Sequence, residues 1–487
     1  MDNKNVLLII SDQHRQSAMS FRGNGIVQTP HMDKLFRRGV HFDKALSPAP
    51  LCGPARCSLF TSLYPHQARG ILEEEDLGAR DDLAWGVETD MMLNSTSLRE
   101  DPLLTKPFKE CGYYTGYAGK WHLGNDILPD WFDNSYGCDN KQYTDWLKKQ
   151  NLPERGWSLN DFEVRSHRQP PMSIPHTKVS PLKGEEYNDA WITDIALNYL
   201  QERPGDKPFF IGCGFNGPHP PFMIPEPWYS MYNEEDIEEP ENFHPSDGEP
   251  DCKETSFYRQ LWKDHGNDWK SWKKSMAVYY GFVSYIDHQI GRLINELDEQ
   301  GVLEDTLIIY TSDHGEMLGS HGLWHKMQAY EESLRVPLLF SAPWLAQGQR
   351  SETAATLLDI APTILTQNNF SVPDSYEGTD LSPWLLEKAP DDRETYLFSE
   401  QKPLGQFHKE TDWRMVTDNQ LKLIWNRSDK WELYDLEKDL SENINLSRNI
   451  EYSQSEARLR EKLIIWMHQT DDSLYPECRK ALEERLS

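Results

Sequence analysis

Apolar positions along the chain fall into short unbroken runs. Val6–Ile10, Pro208–Phe215, Thr306–Thr311 and Pro337–Phe340 are each short, rich in strand formers and bounded by turn residues. A strand that is apolar on both faces lies between two covering layers, and such strands belong to parallel sheets. Between them, Asp189–Gln201 and Met276–Gln300 read as helices. The alternation predicts an α/β fold with a large, mostly parallel central sheet flanked by helices. Near residue 390 the pattern changes. Trp413–Val416, Leu421–Trp425 and Trp431–Leu436 predict a short antiparallel sheet, and a helix is expected from about Ser453 to His468. The expected division is a larger α/β part over 1–390 and a smaller C-terminal α+β part over 391–487.

Two stretches, near 145–185 and 220–270, break the periodicity. They are rich in Pro, Trp, Asp and Glu and read as long insertions of the kind that carry substrate-binding loops. Trp228, Trp262, Trp269 and Trp272 in the second are candidates for stacking on sugar rings. The acidic run Glu234–Asp251 reads as a solvated surface loop.

Composition narrows the choice of partners. Fifty Lys and Arg stand against 79 Asp and Glu, a formal charge of −29. Such a chain is not expected to bind nucleic acid or an anionic membrane surface. A polyanionic substrate stays open, because a bound metal or a few cations can concentrate positive charge in one pocket. No run approaches the ~20 apolar residues of a membrane span. The start lacks the pattern of a signal peptide, so a cytoplasmic protein and a mature periplasmic or extracellular form are both open. The seven cysteines show no metal-type spacing, and their pairing is not readable.

Candidate chemistry sits just beyond the strands. Val6–Ile10 runs into Ser11-Asp12-Gln13, the run ending at Phe215 into Asn216-Gly217-Pro218-His219, and that ending at Thr311 into Ser312-Asp313-His314-Gly315. In open parallel sheets, functional residues gather beyond the carboxyl ends of strands. One Asp after a strand is an ordinary turn, but three such endings point to one site. Asp12, Gln13 and Asp313 suit a hard cation such as Ca²⁺ or Mg²⁺, while His314 leaves Mn²⁺ or Zn²⁺ open. In Leu51-Cys52-Gly53-Pro54-Ala55-Arg56, Pro54 fits the first turn of a helix, which sets Cys52 at its N-terminus with Arg56 one turn on. That arrangement favours negative charge at residue 52.

Cys52-x-Pro54-x-Arg56 and its following helix resemble the signature of the formylglycine-dependent sulfatases, in the alkaline phosphatase superfamily. So does Gly112-Tyr113-Tyr114-Thr115-Gly116-Tyr117-Ala118-Gly119-Lys120-Trp121-His122-Leu123-Gly124, with further likeness at Thr29–Leu35, Gly322–Lys326 and Glu432–Leu436. The resemblance implies an alkaline-phosphatase-like fold and conversion of Cys52 to formylglycine by a formylglycine-generating enzyme. The hydrate of that aldehyde attacks sulfur with one hydroxyl and expels sulfate with the other. It also implies Asp12, Gln13, residue 52, Asp313 and His314 as ligands of Ca²⁺, with Mg²⁺ or Mn²⁺ as substitutes. Arg56 and Lys120 then orient the formylglycine and Lys326 grips sulfate. His122 takes the proton of the second hydroxyl, and His219 is the general acid. Gln13 and His314 stand where Asp and Asn are more usual in arylsulfatases, and phosphonate monoester hydrolases of the same superfamily share this pairing. Lys120 and His122 favour sulfate esters. The expected substrate is a sulfated carbohydrate. A non-catalytic binder of sulfated glycans is the reading if Cys52 stays a thiol. His31, His66, His321 and His325 are expected to be structural, with His321 and His325 close to Lys326.

Overall fold

Eight strands build the central sheet of the computed structural model, which describes residues 4–71, 95–138, 140–153, 177–244, 269–387, 395–402, 412–428 and 430–486. They are drawn from β1 (Asn5–Asp12), β2 (Gly39–Leu46), β3 (Tyr114–Gly119), β4 (Asn134–Tyr136), β6 (Phe209–Pro218), β8 (Thr306–Ser312), β9 (Leu338–Ser341) and β10 (Gln349–Thr356). The spatial order is β10-β2-β9-β8-β1-β6-β3-β4. β5 (Thr177–Val179) and β7 (Phe222–Ile224) pair separately. β1 lies at the centre, parallel to β6 on one side and to β8 on the other.

The expected parallel strand at Pro337–Phe340 is a correction. β9 is buried as its apolar run requires, but it pairs antiparallel with both β2 and β8. The segment after β8 stays at the carboxyl end of the sheet, and the chain re-enters from there, with Leu338 opposite Thr311. Burial is written in the apolar run; direction is not. β2 and β10 escaped the apolar pattern because they carry polar residues that are paired within the fold. His41 and Arg350 both bond Asp43.

Alternation along β1 divides the core. Leu7 and Ile9 pack with the helices Asn188–Glu202 and Trp269–Glu299 on one face. Val6, Leu8 and Ile10 pack with the helices Cys52–Thr61 and Ile360–Gln367 on the other. Each such side chain taken fully out of water contributes roughly 1.5–3 kcal/mol. Helix Cys52–Thr61 is buried at all ten positions, so residue 52 is held by packing from every side of its helix.

The C-terminal sheet has the order β11 (Leu397–Gln401), β12 (Trp413–Thr417), β13 (Leu421–Asn426), β14 (Lys430–Asp435), all antiparallel. Leu421, Leu423 and Trp425 face the helix Ser453–Gln469, while Ile424 faces Trp272, Trp324 and Tyr330 of the larger part. β11 had no apolar run to announce it.

The inserted tryptophans also need correction. The long helix begins at Trp269, earlier than its apolar pattern suggested, and takes in the end of the second insertion. Trp272 is buried in a core cluster, Trp269 packs on Phe243, and Trp228 packs edge-on against Tyr285. Trp272 is thereby unavailable to a sugar, while Trp228 and Trp269 are half-buried and hold the insertion to the core. Trp262, the first insertion over 154–176 and the second over 245–268 lie outside the described residues. Glu234 and Glu235 of the acidic run pair with Lys274 and Lys273. Among the described residues, six cysteines are free thiols and no helix is long and apolar enough to cross a membrane.

Candidate active site

The carboxyl ends of β1, β3, β6 and β8 converge, and two glycines decide how closely. Lys120 N–H donates to Gly214 O at 2.7 Å. A Cβ on Gly119 would lie 2.1 Å from that same oxygen, and one on Gly214 would lie 2.4 Å from Lys120 O. Gly119 also has a φ of +90°, which turns the chain out of β3 towards Lys120 and His122. Several residues without this freedom adopt positive φ around the site: Gln13 (68°), His122 (65°), His325 (65°) and Met327 (75°). Backbone strain of this kind persists where the surrounding structure over-determines it.

Cys52 opens its helix, whose first turn receives no side-chain cap. Its Sγ lies 3.2 Å from His314 Nε2 and 3.7 Å from Asp12 Oδ1. His314 Nδ1 sits 2.9 Å from Gly315 O, so that nitrogen carries the proton and Nε2 presents its lone pair to the cluster. Ligand atoms of Asp12, Cys52, Asp313 and His314 all lie within 4.8 Å of one another. Two carboxylates, an imidazole lone pair and the residue-52 side chain fit a divalent cation.

Cations ring this cluster. Arg56 Nε donates to Asp313 Oδ2 at 3.0 Å and its Nη1 to Lys120 O at 2.7 Å, while its buried Nη2 has no hydrogen-bond partner among the described residues. Lys120 pairs with Asp12. Lys326 Nζ donates to Gln13 Oε1 at 3.0 Å and lies 2.8 Å from His219 Nε2. The sequence candidates Asp12, Gln13, Cys52, Arg56, Lys120, His219, Asp313, His314 and Lys326 are thus linked by contacts. His122 follows Lys120 and joins them through the fields of Lys120, Arg56 and Asp12.

Burial sets the protonation of the site. It pushes the Cys52 thiol up to about 11, with Asp12 adding to the effect, so an unmodified thiol here is neutral and a weak nucleophile. Burial also disfavours charge on Asp12, but Lys120, His219 and Arg56 overcome it and hold that carboxyl well below its usual range. Burial first and Lys326 second keep His219 well below the ordinary imidazole value; for His122 the order is burial, Lys120, Arg56.

Two residues belong here that the sequence reading left out or set aside. Glu316 is buried, pushed up to about 7 by that burial, and bonds the Gln13 amide. Three positions past Asp313, it had nothing to distinguish it among 79 acidic residues. His325 lies 3.3 Å from Gln13 Nε2, and its ring centroid is 5.8 Å from that of His219. His66 bonds Glu400, and His321 stacks on Tyr330 at 3.7 Å and bonds Asn242.

Comparison with known proteins places this architecture. Residues 4–369 match the family described as Sulfatase, and residues 319–469 match N-sulphoglucosamine sulphohydrolase, C-terminal. The chain is 28% identical to an arylsulfatase of Clostridium perfringens over 94% of this chain and 93% of that protein. It is 26% identical to an N-acetylglucosamine-6-O-sulfatase of Bacteroides thetaiotaomicron, over 99% and 90% respectively. In fold it resembles the phosphonate monoester hydrolase of Agrobacterium radiobacter, with a TM-score of 0.77, 24% identity and 96% of each chain covered. With the family match spanning most of its length and the site's donors gathered at the strand ends, the chain belongs to the sulfatase family of sulfuric ester hydrolases.

Proposed function

We propose that this sulfatase acts on a sulfated carbohydrate, with residue 52 as formylglycine and a divalent metal, Ca²⁺ first and Mg²⁺ or Mn²⁺ as substitutes. The observation that carries the reading is the position of Cys52. It begins a wholly buried helix with its Sγ among Asp12, Asp313 and His314, inside a ring of Lys120, Arg56 and Lys326. A buried thiol pushed up to about 11 is a weak nucleophile as it stands, so catalysis at this position calls for another group. The carbohydrate class draws on the name of the N-acetylglucosamine-6-O-sulfatase relative, not on the inserted tryptophans.

Asp12, Gln13, Asp313, His314 and the residue-52 side chain would hold the cation, which supplies Lewis-acid stabilisation of negative charge. A formylglycine hydrate would supply two hydroxyls on one carbon, one to attack sulfur as its proton passes to Asp313 and one to release sulfate. Arg56 and Lys120 orient that side chain. Lys326 binds a sulfate oxygen, which draws its charge away from His219. His219 then donates a proton to the leaving sugar oxygen as the S–O bond breaks. His122, kept neutral, takes the proton of the second hydroxyl as the aldehyde re-forms and sulfate departs.

The test is the mass of the tryptic peptide Ala45–Arg56 from protein co-expressed with a formylglycine-generating enzyme, alongside sulfate release from a panel of sulfated sugars. An aldehyde or hydrate at residue 52 is expected, and Cys52→Ala is expected to lose on the order of 10⁴-fold or more in turnover. An intact thiol with no sulfate release turns the reading into a binder of sulfated glycans. Faster turnover of aryl phosphonate monoesters than of any sulfate ester turns it into a phosphonate hydrolase.

A further inference from the structure

The Gln13 amide is gripped at both ends by groups of opposite demand. Its Oε1 accepts from Lys326 Nζ at 3.0 Å. Its Nε2 donates to Glu316 Oε2 and faces His325 Nδ1 at 3.3 Å. An ammonium can only donate, and Glu316 faces donors at both its oxygens, so this orientation of the amide satisfies both neighbours. The other Glu316 oxygen, Oε1, accepts the backbone N–H groups of Leu318 at 2.9 Å and His325 at 2.7 Å. Glu316 therefore ties the loop that carries Lys326 to the residue after Asp12. Gln13 itself is held at a φ of 68°, with its carbonyl accepting from Tyr279 Oη at 2.9 Å and its N–H donating to Asp313 Oδ1 at 3.0 Å. The backbone is pinned, and the remaining freedom is rotation of the amide.

We infer that Glu316 is a positioning residue for cation binding: by holding the Gln13 NH₂ group it keeps the amide oxygen, rather than the nitrogen, available on the Lys326 side of the site. The inference rests on the reading of Gln13 as a metal ligand. Glu316→Gln isolates it. The new side chain keeps an oxygen for the two backbone donors but sets a second NH₂ against that of Gln13. Two facing donors repel, and Gln13 relieves this by turning its amide over, which aims nitrogen where oxygen was needed. Exchanging the two residues, Gln13→Glu with Glu316→Gln, restores a donor facing an acceptor and returns an oxygen to the site.

The experiment is calorimetric titration of Ca²⁺ into chelator-treated wild type, Glu316→Gln and the exchanged double variant, with the melting curve of each metal-free protein as the control for folding. Glu316→Gln is expected to bind roughly 10–100-fold more weakly, the usual effect of removing a partner that orients a ligand. The double variant is expected to recover most of that loss. Unchanged binding by Glu316→Gln overturns the inference, and so does a loss that the exchange leaves in place, since the residue would then only staple its loop. If the single variant does not fold, a folded double variant that fails to bind Ca²⁺ overturns it equally. Wild type that takes up neither Ca²⁺, Mg²⁺ nor Mn²⁺ overturns the metal reading first, and this inference with it.

Discussion

Arg56 and Arg414 are both fully buried, and the protein uses them in opposite ways. Arg414 lies on β12 and spends every nitrogen. Nε and Nη2 bond Asp472 at 2.5 and 3.1 Å, and Nη1 bonds Asp412 at 2.9 Å together with the carbonyls of Trp413 and Gln401. With Glu400 and His66 alongside, the network ties β11, β12 and the Asp472 turn to the segment that follows helix Cys52–Thr61. Arg56, one turn into that helix, bonds Asp313 and a carbonyl and, among the described residues, leaves Nη2 without a partner. A buried donor left unmade is expensive unless something else arrives to use it. Around Arg414 charge is neutralised within the fold; at Arg56 a buried guanidinium nitrogen is left over among the described residues. His66, Glu400 and Asp472 could by their donor atoms hold a metal, but Arg414 already occupies their charge.

The strongest way to break this contrast is Arg414→Met. It strands Asp472, Asp412 and Glu400 without their cation, and we expect about 3–5 kcal/mol of lost stability in urea unfolding, with turnover per folded molecule unchanged. Arg56→Met should do the reverse. Turnover falls on the order of 10²–10³-fold, as for loss of one preorganised group at a developing charge, while the urea midpoint moves less than in Arg414→Met. Equal destabilisation by the two substitutions would sink the distinction.

A smaller effect sharpens it through pH. Burial would raise the Asp472 carboxyl, but Arg414 overcomes this and holds it at about 2, below the ordinary 3.8. A carboxyl depressed in the folded state stabilises the fold above its unfolded value and loses that contribution as it protonates. The advantage of wild type over Asp472→Asn should therefore be full above about pH 4 and fade towards pH 2, by on the order of 2 kcal/mol. Urea midpoints of the two proteins across that range check it. Arg99→Ala is the surface control. Its pairs with Asp130 at 2.6 Å and Asp126 at 3.5 Å are exposed, and the melting curve should not move beyond error.

The sequence by itself determined that the unbroken apolar runs are buried strands and which polar residues stand at their ends. β1, β6 and β8 are buried on both faces, so their apolar runs are unbroken and the polar residues at their ends stand out: Asp12, His219, Asp313 and His314. Pro54 made the helix start at Cys52 legible, while the roles expected of Cys52 and Arg56 came from the resemblance of Cys52-x-Pro54-x-Arg56 to the sulfatase signature. What the sequence left open depends on contacts between distant segments. The direction of β9 is set by where the chain re-enters the sheet, which no run of four apolar residues records. β2 and β10 needed the pairing of His41, Asp43 and Arg350 before their polar residues made sense as strand. The fate of Trp228, Trp269 and Trp272 turned on Tyr285 and Phe243, the partners that cover them. Glu316 is the clearest case. Its identity says only that it is acidic, and its meaning lies in a bond to a side chain 303 positions earlier, a proximity that only the folded chain creates.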